Sequence, residues 1–357
     1  MTTVPYAEER AFAEATALRA AILTKRVQAK VQSMTKDDFS PVTTADFAAQ
    51  ALLIASLQQR FPGDGFVGEE DAADLRSHDA LRRTVFEHVR SMADDGTATT
   101  KLATPQTEEE MLALIDLGGR GQGGQHGRFW VMDPVDGTRT FLEQHQYAVS
   151  LSLIEDGREV VGVLCCPNLR LQDGRVVERS VDRDGLGVML TAVRGQGATV
   201  RYLSASPACT PYPLPEAQPL PRLTTPASMA DLHIVDARAS TAVRHDIVEQ
   251  LAQQLGTRYP GTEVWSSHMR YASLILGGAD CQIRVPRADK VSNVCIWDHA
   301  GAQLIFTEMG GRITDLDGRD MDFGAGRKMD ANRGMIVARE GVHAQLLRDV
   351  KAIIGEA

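Results

Sequence analysis

Residues 130–141 read WVMDPVDGTRTF, an apolar run that leads into two aspartates, Asp133 and Asp136. Pro134 biases the residue before it toward extended backbone, so we predict a strand that ends at Asp133 and a turn after it. On this turn the two carboxylates can point at one place, where they repel each other unless a proton or a cation lies between them. A hard cation such as Mg²⁺ suits an all-oxygen site of this kind. The same pair is also typical of a capped helix or a solvated turn, so on its own it leaves both interpretations open.

The two residues after the second aspartate favour an anion site. Gly137 lets the backbone approach a ligand closely. If a helix begins at Thr138, the free N–H groups of its first turn can bind phosphate. A phosphate beside a cation is therefore one interpretation of the stretch.

Further acids lie among apolar or small residues, where an unpaired charge is costly. They are Asp46 in PVTTADFAAQ, Glu69 and Glu70 in FVGEED, and Asp298 in IWDHAGAQ. Helix capping is the alternative interpretation for Asp46 and Asp298, and a solvated turn is the alternative for the two glutamates.

The length and composition set the class of protein. The 357 residues are 43% hydrophobic and 24% charged, and the formal net charge is −9. Such a chain is expected to form two subdomains, which we place at residues 1–158, with most of the candidate metal ligands, and 159–357, with Asp298. The negative charge argues against nucleic acid as a partner.

The cysteines and the apolar segments indicate the compartment. The five cysteines are odd in number and contain no CxxC pair, which favours a reducing environment. The sequence shows no signal peptide and no run of about 18 apolar residues, so we expect a cytoplasmic protein without a membrane partner.

Hydrophobic periodicity predicts a mixed fold of the α/β (α+β) class with mostly antiparallel strands. We expect an amphipathic helix with a polar outer face at residues 6–33 and helices joined by mobile loops between residues 72 and 128. The Asp156-Gly157 dipeptide favours a type I′ hairpin turn between two strands. The proline-rich run at residues 206–223 is expected to stay out of the sheets. Other predicted elements are helices at 44–61, 241–256 and 297–311 and a strand at 279–285.

Four motifs in a fixed order resemble one superfamily. VTTAD at 42–46, GEE at 68–70, DPVDGT at 133–138 and WDHA at 297–300 are similar to the signature of the lithium-sensitive, Mg²⁺-dependent phosphatases that contain inositol monophosphatase and the 3′(2′),5′-bisphosphate nucleotidases. The resemblance is closest to the fungal and plant nucleotidase branch. It implies a layered αβαβα sandwich.

The resemblance also implies roles for individual residues. Two or three Mg²⁺ ions would be held by Asp46, Glu69, Asp133, the Val135 carbonyl, Asp136 and Asp298. Thr138, coupled to Asp46, would help to deprotonate a water that the metals activate for in-line attack on the phosphate. Gly137, Thr138 and Asp298 would contact the substrate, as would Ser267, Arg270 and Arg284 around its second phosphate. Surface arginines without this role are the alternative interpretation for Arg270 and Arg284.

Several positions depart from the family pattern. A family histidine falls near Ala239-Ser240-Thr241, so its contact is missing or is moved to His245. Thr140 and Gln144 replace glycines, Glu143 replaces an arginine, and Cys295 replaces a lysine. An acid gained and a base lost weaken the attraction for a highly charged substrate.

Three hypotheses follow from the motifs and the departures. The first is a phosphomonoesterase that removes the 3′-phosphate of adenosine 3′,5′-bisphosphate, with 3′-phosphoadenylyl sulfate as a second candidate substrate and sulfur assimilation as the implied context. The second is a phosphatase for an inositol phosphate or another small metabolite, and the third is a catalytically weak metal-binding paralogue. The retained acids and Thr138 favour an enzyme, because a protein without turnover has no need of clustered negative charge.

Overall fold

Helical layers alternate with two β-sheets through the chain, of which the computed structural model describes residues 4–30, 41–93, 100–204, 213–289 and 294–356. One helical layer covers the outer face of a seven-stranded sheet, a second lies between that sheet and a three-stranded sheet, and a third covers the far side. The predicted αβαβα sandwich is therefore confirmed.

The outer layer and the large sheet come from the first two thirds of the chain. Helices α1 (Ala7–Ala29) and α2 (Pro41–Arg60) pack against each other and against the sheet. The strands, in chain order and in order across the sheet, are β1 (Gly65–Gly68), β2 (Arg128–Asp136), β3 (Ala148–Glu155), β4 (Arg158–Cys166), β5 (Val188–Val193), β6 (Ala198–Tyr202) and β7 (Gln218–Pro219). Strand β1 is parallel to β2, whereas the other pairs are antiparallel.

Helix α1 does not have the predicted polar outer face. Residues 12–24 are all buried, Glu14 and Arg19 included, because α2 and the sheet enclose the helix. The Arg19 guanidinium donates hydrogen bonds to the carbonyls of Leu52 (3.0 Å) and Ala103 (2.6 Å). The prediction was wrong since charged residues at helical spacing were taken as solvated, while here they are buried and paired.

Among the described residues between 72 and 128 there are three helices, as expected. They are α3 (Ala73–Ser77), α4 (Asp79–Arg90) and α5 (Glu108–Arg120). The Thr107 hydroxyl caps α5 by accepting a hydrogen bond from the backbone N–H of Glu110. Residues 94–99 and 31–33, which the predicted loops and the first predicted helix include, lie outside the described residues.

The predicted hairpin is confirmed. Asp156 (φ 48°) and Gly157 (φ 73°) join β3 to β4, and both have the positive φ that a type I′ turn requires. The subdomain boundary at 158/159 falls at this hairpin, with strands of one sheet on either side, and stays a prediction. Gln218 and Pro219 pair with β6 at the sheet edge, so this part of the proline-rich run does enter a sheet, while residues 205–212 lie outside the described ranges.

The second half of the chain supplies the other layers. Helices α8 (Ser267–Leu276) and α9 (Ala302–Glu308) lie between the two sheets. The small sheet has the order β10 (Cys281–Arg284), β12 (Met335–Arg339), β11 (Gly311–Thr314), and α7 (His245–Leu255) and α10 (Glu340–Ile354) cover it. Short strands β8 (Val235–Asp236) and β9 (Thr262–Glu263) pair in parallel, and α6 (Thr138–Leu142) follows β2.

The helix predicted at 297–311 is split. A 3-10 turn covers Ile296–Asp298, and α9 starts only after Gly301, whose φ is 76°. A Cβ at Gly301 would meet the Leu151 carbonyl oxygen at 3.2 Å, so this break packs directly on the large sheet. It sets the 3-10 turn against the end of β2.

Candidate active site

Strand β2 continues through Asp136 rather than ending at Asp133. Asp133 pairs with Ser150 and Asp136 with Ala148, so three steps along β2 face two steps along β3. This β-bulge contains Pro134, which has no N–H to donate to the neighbouring strand. Residues three apart in a regular strand point to opposite faces of the sheet. The extra residue is what lets both aspartates point to the same side.

An acidic cluster lies at this end of the sheet. One carboxylate oxygen each from Asp133, Asp136 and Asp298 lies within 4.8 Å of the others. Asp298 reaches the cluster from the 3-10 turn, where its carboxylate also accepts a hydrogen bond from the Cys295 N–H at 3.4 Å. The structure therefore places Asp298 next to Asp136, which is 162 positions earlier in the chain, as the motif order predicts.

Asp46 and Glu69 adjoin the three aspartates. Asp46 is buried in α2, and Glu69 directly follows β1, whose end lies beside that of its parallel neighbour β2. Burial, followed by repulsion from Glu70 and Glu69, raises the pKa of Asp46 well above its ordinary value. Glu69 is exposed to solvent, and its carboxylate faces the other acids. Burial, then Glu70, Asp298 and Asp136, raise its pKa to about 8.

The remaining acids respond to the same environment. Burial first, and then Glu69, Asp136 and Asp298, raise the pKa of Asp133. Burial and Asp136 raise the pKa of Asp298 to about 6. For both aspartates, repulsion from neighbouring acids adds to the effect of burial.

The donor set fits a hard divalent cation. The Oδ1 atoms of Asp46 and Asp133 are buried and have no hydrogen-bond partner among the described residues. The cluster offers only oxygen ligands, which Mg²⁺ prefers. The Val135 peptide lies within the bulge between the two aspartates, and the Val135 side chain is buried. The acids thus form a group that could hold a metal ion.

Gly137 makes the sharp turn between β2 and α6. Its φ is 101°, and a Cβ there would lie 2.7 Å from the Thr140 hydroxyl and 3.0 Å from the Ser266 Cβ. A side chain is excluded both by conformation and by space. Thr138 is the first residue of α6 and is exposed, so it is accessible next to the acids. Its coupling to Asp46 stays a prediction.

The start of α8 fixes Asp136. The Ser266 hydroxyl donates a hydrogen bond to the Asp136 carboxylate, and the N–H groups of Ser267 (3.2 Å) and His268 (2.6 Å) do the same. Ser266 also caps α8 by accepting from the Met269 N–H. Ser266 and His268 were missed from the sequence; the only signal was the capping serine before a helix, which does not indicate what else the hydroxyl contacts.

A cavity of about 260 Å³ lies next to Asp136, because its lining includes Ser267, whose N–H donates to that carboxylate. Its lining includes the predicted residues Ser267, Arg270 and Arg284. Arg270 and Arg284 both counteract the rise in the pKa of Asp298, so they lie near that carboxylate. Sequence reasoning missed Trp265 and Asp236, which also line the cavity.

Arg270 is not a surface arginine. It is 5% exposed, and its guanidinium donates to the Trp265 carbonyl at 2.7 Å and to the Ser267 hydroxyl at 3.0 Å. Its Nε atom is buried without a partner in the described part of the chain. Arg284, on β10, is half-buried. Two arginines therefore border the cavity, one of them held rigidly.

His245 lies behind the wall of the cavity, where it contacts two of the lining residues. Its Nδ1 lies 2.7 Å from a carboxylate oxygen of Asp236, and its Nε2 lies 2.8 Å from the Ser240 carbonyl oxygen. The Tyr259 hydroxyl donates to the same Asp236 carboxylate. Both ring nitrogens thus have protein partners, and a move of the family's histidine contact to His245 stays a prediction.

The other departures surround α6. The buried Thr140 hydroxyl donates to the carbonyls of Gly137 (2.9 Å) and Gln146 (2.6 Å). Glu143 is exposed and pairs with Arg139 at 3.0 Å and with His145 at 3.2 Å. Gln144 has a φ of 57°, which favours glycine. The half-buried Cys295 lies beside Asp298.

None of the helices in the described ranges combines the length and the apolar character needed to cross a lipid bilayer.

Comparison with known proteins agrees with this geometry. The model of the inositol monophosphatase family matches residues 5–354. The chain is 35% identical to the 3′(2′),5′-bisphosphate nucleotidase of Emericella nidulans, over 98% of this chain and 99% of that protein. It is 34% identical to the 3′(2′),5′-bisphosphate nucleotidase of Oryza sativa, over 99% and 96%.

A solved structure shows the same fold. An inositol monophosphatase from Zymomonas mobilis matches with a TM-score of 0.60 at 16% identity, covering 98% of this chain and 100% of that one. The resemblance seen in the sequence motifs is confirmed: the chain belongs to the inositol monophosphatase family.

Proposed function

We propose that the chain is a Mg²⁺-dependent phosphomonoesterase that hydrolyses the 3′-phosphate of adenosine 3′,5′-bisphosphate, with 3′-phosphoadenylyl sulfate as a second substrate. The observation that carries the proposal is the convergence of Asp133, Asp136 and Asp298 beside a cavity that contains two arginines. The nucleotidase names of full-length relatives support the choice of substrate.

Two or three Mg²⁺ ions would be held by the carboxylates of Asp46, Glu69, Asp133, Asp136 and Asp298 and by the Val135 carbonyl. When bound, Mg²⁺ supplies positive charge to the phosphate and lowers the pKa of a water. Asp133 and Asp136 could bind the same ion, because their carboxylates point to the same side of β2. Asp136 is oriented by the three donors at the start of α8.

The chain's own residues would place the phosphate and the proton. The turn at Gly137 brings the backbone close to the cluster, where the N–H groups that begin α6 can bind phosphate oxygens. The Thr138 hydroxyl would take the proton of the attacking water while it passes its own proton to the Asp46 carboxylate. Asp298, at the border of cluster and cavity, would contact the sugar end of the substrate.

The second phosphate of the nucleotide would lie in the cavity, on Ser267, Arg270 and Arg284. A dianion is suited to guanidinium groups, which bind it through several N–H donors. Arg270 already donates to three protein oxygens, so it offers fixed charge, whereas the half-buried Arg284 can reorient toward a ligand.

An inositol phosphate is the second candidate substrate, which Glu143 and the missing family histidine favour in the sequence. In the structure Glu143 forms an ion pair with Arg139, which lowers the pKa of Glu143, and a second Glu143 oxygen lies 3.2 Å from Nδ1 of His145. The acid is therefore partly neutralised by Arg139. The arginines of the cavity favour the nucleotide.

The experiment is phosphate release from purified protein with Mg²⁺, measured in parallel on adenosine 3′,5′-bisphosphate, 3′-phosphoadenylyl sulfate and inositol 1-phosphate, with and without lithium. We expect the adenosine bisphosphate to have the highest kcat/KM and lithium to inhibit. A higher kcat/KM for inositol 1-phosphate would contradict the nucleotide as the substrate and support the second candidate. If the protein binds metal but hydrolyses none of a broad panel of phosphorylated substrates, only the hypothesis of a catalytically weak metal-binding paralogue stands.

A further inference from the structure

Trp265 lies on the wall of the cavity, directly before the serine that binds Asp136. Its backbone is held at both ends: its N–H donates to the Glu178 carboxylate at 3.0 Å, and its carbonyl accepts from Arg270 at 2.7 Å. The ring is half-buried. Its distance from the acidic cluster is therefore set by a short, hydrogen-bonded segment.

Arg139 stacks on the Trp265 ring. Its guanidinium carbon lies 4.3 Å from the ring centroid, a favourable cation–π distance. Arg139 is the residue after Thr138, and its Nε donates to Glu143 at 3.0 Å. Trp265 belongs to the cavity lining described for this chain and Arg139 does not, so the guanidinium lies outside the space in which a ligand would bind.

The surroundings of the ring specify the chemistry of a ligand. Arg270, Arg284 and Ser267 offer positive charge and a hydroxyl, which suit a phosphate, while the indole offers a flat apolar surface in the same cavity. A ligand that uses both combines a phosphate with a planar ring. Nucleobases stack on aromatic side chains whatever their identity, because every base has a π-face. A phosphorylated polyol has no such face.

We propose that Trp265, backed by Arg139, is the surface on which the base of a nucleotide substrate stacks, and that this contact makes the site prefer nucleotides over phosphorylated polyols. The proposal rests on the proposed function, since it concerns the same site. Glu143 has a part in it: by holding Arg139 against the ring, it positions the cation rather than repelling the substrate.

The first test is steady-state kinetics of the full chain with Mg²⁺. Trp265→Leu keeps an apolar side chain but removes the π-face, and Trp265→Phe retains a smaller one. We expect Trp265→Leu to raise KM for adenosine 3′,5′-bisphosphate about tenfold, as the loss of one stack implies, with kcat changed less than about twofold. Trp265→Phe should recover most of the affinity, and kinetics on inositol 1-phosphate should be unchanged in both variants. Equal effects on the two substrates, or none on either, would overturn the proposal.

The second test measures binding without turnover. Adenosine 5′-monophosphate, the product of the proposed reaction, should quench the intrinsic fluorescence of the wild type, whereas ribose 5-phosphate, which lacks the base, should not. Trp265→Phe retains Trp130 and Trp297, so it should lose the quench while staying folded by circular dichroism. A quench that persists in this variant contradicts the stack. The two proposals can also fail separately. If the wild type shows quenching that depends on Trp265 but does not hydrolyse the bisphosphate, the stack is supported and the proposed function is overturned.

Discussion

Carboxylate oxygens of Asp133 and Asp136 lie within 4.8 Å of each other although the residues are three positions apart on one strand. The bulge at Pro134 produces this approach, because it adds one residue to β2 without a partner on β3. Strand geometry therefore sets the spacing that the proposed metal site needs.

Asp136→Asn should lower kcat by at least about a hundredfold, because the amide has lost the charge that would hold the cation. The fold should persist with a modest fall of the melting temperature in chelator, because the loss of one repelling charge is opposed by the loss of one acceptor for the donors at the start of α8. Circular dichroism and a metal titration complete the measurement. Near-normal turnover in this variant would mean that the metal lies elsewhere.

The stability of the metal-free protein should fall as the pH rises. Burial and neighbouring acids raise the pKa of Glu69 from 4.5 in the unfolded chain to about 8 in the fold, and they raise the pKa of Asp133 and Asp46 as well. These acids therefore bind protons more tightly in the folded state than in the unfolded chain. The stabilisation of the fold that results is complete below about pH 4.5 and is lost as the pH rises through about 8.

Mg²⁺ should reverse this trend, because it replaces the protons that the acids lose. Thermal unfolding with and without Mg²⁺ at a series of pH values checks the prediction: the gain in melting temperature on adding Mg²⁺ should grow between about pH 5 and pH 8. A gain that is the same at each pH would argue against these acids as the ligands.

Gly137→Ala should destabilise the fold by about 1–2 kcal/mol from its backbone conformation alone, with an added cost from the contact with the Thr140 hydroxyl. It should also reduce turnover, because the turn carries the candidate phosphate N–H groups. Gly63→Ala is the matched control, since its Cβ would have nothing within 4 Å. Chemical denaturation gives both free energies of unfolding; equal values would contradict the proposed constraint.

The hairpin and the mixed α/β class could be predicted from the sequence because they depend on local signals, and the resemblance that the four spaced motifs carry implied the layered sandwich. The bulge could not, since it is a property of the register between β2 and β3. The burial of Glu14 and Arg19 depends on the elements around α1, which helical periodicity does not reveal. The sequence could not assign Ser266, His268 and Trp265 to the site, because they lie there only through the packing of the start of α8 next to β2.

Arg284→Ala should raise KM for adenosine 3′,5′-bisphosphate about tenfold or more, because a charged hydrogen bond to the second phosphate is lost. The effect on a substrate with a single phosphate should be several-fold smaller. Arg287→Ala is the control: Arg287 is exposed, close in sequence, and paired with Asp289 at 2.9 Å. If both variants behave alike, Arg284 has no particular role in binding.

The most direct measurement of the central claim is to identify the phosphate that leaves. Adenosine 3′,5′-bisphosphate is incubated with the protein and Mg²⁺ and followed by ³¹P NMR, with Asp136→Asn as the control. The account predicts one equivalent each of inorganic phosphate and adenosine 5′-monophosphate from the wild type and almost none from the variant. Formation of adenosine 3′-monophosphate, or no reaction by a wild type that binds Mg²⁺, would contradict it.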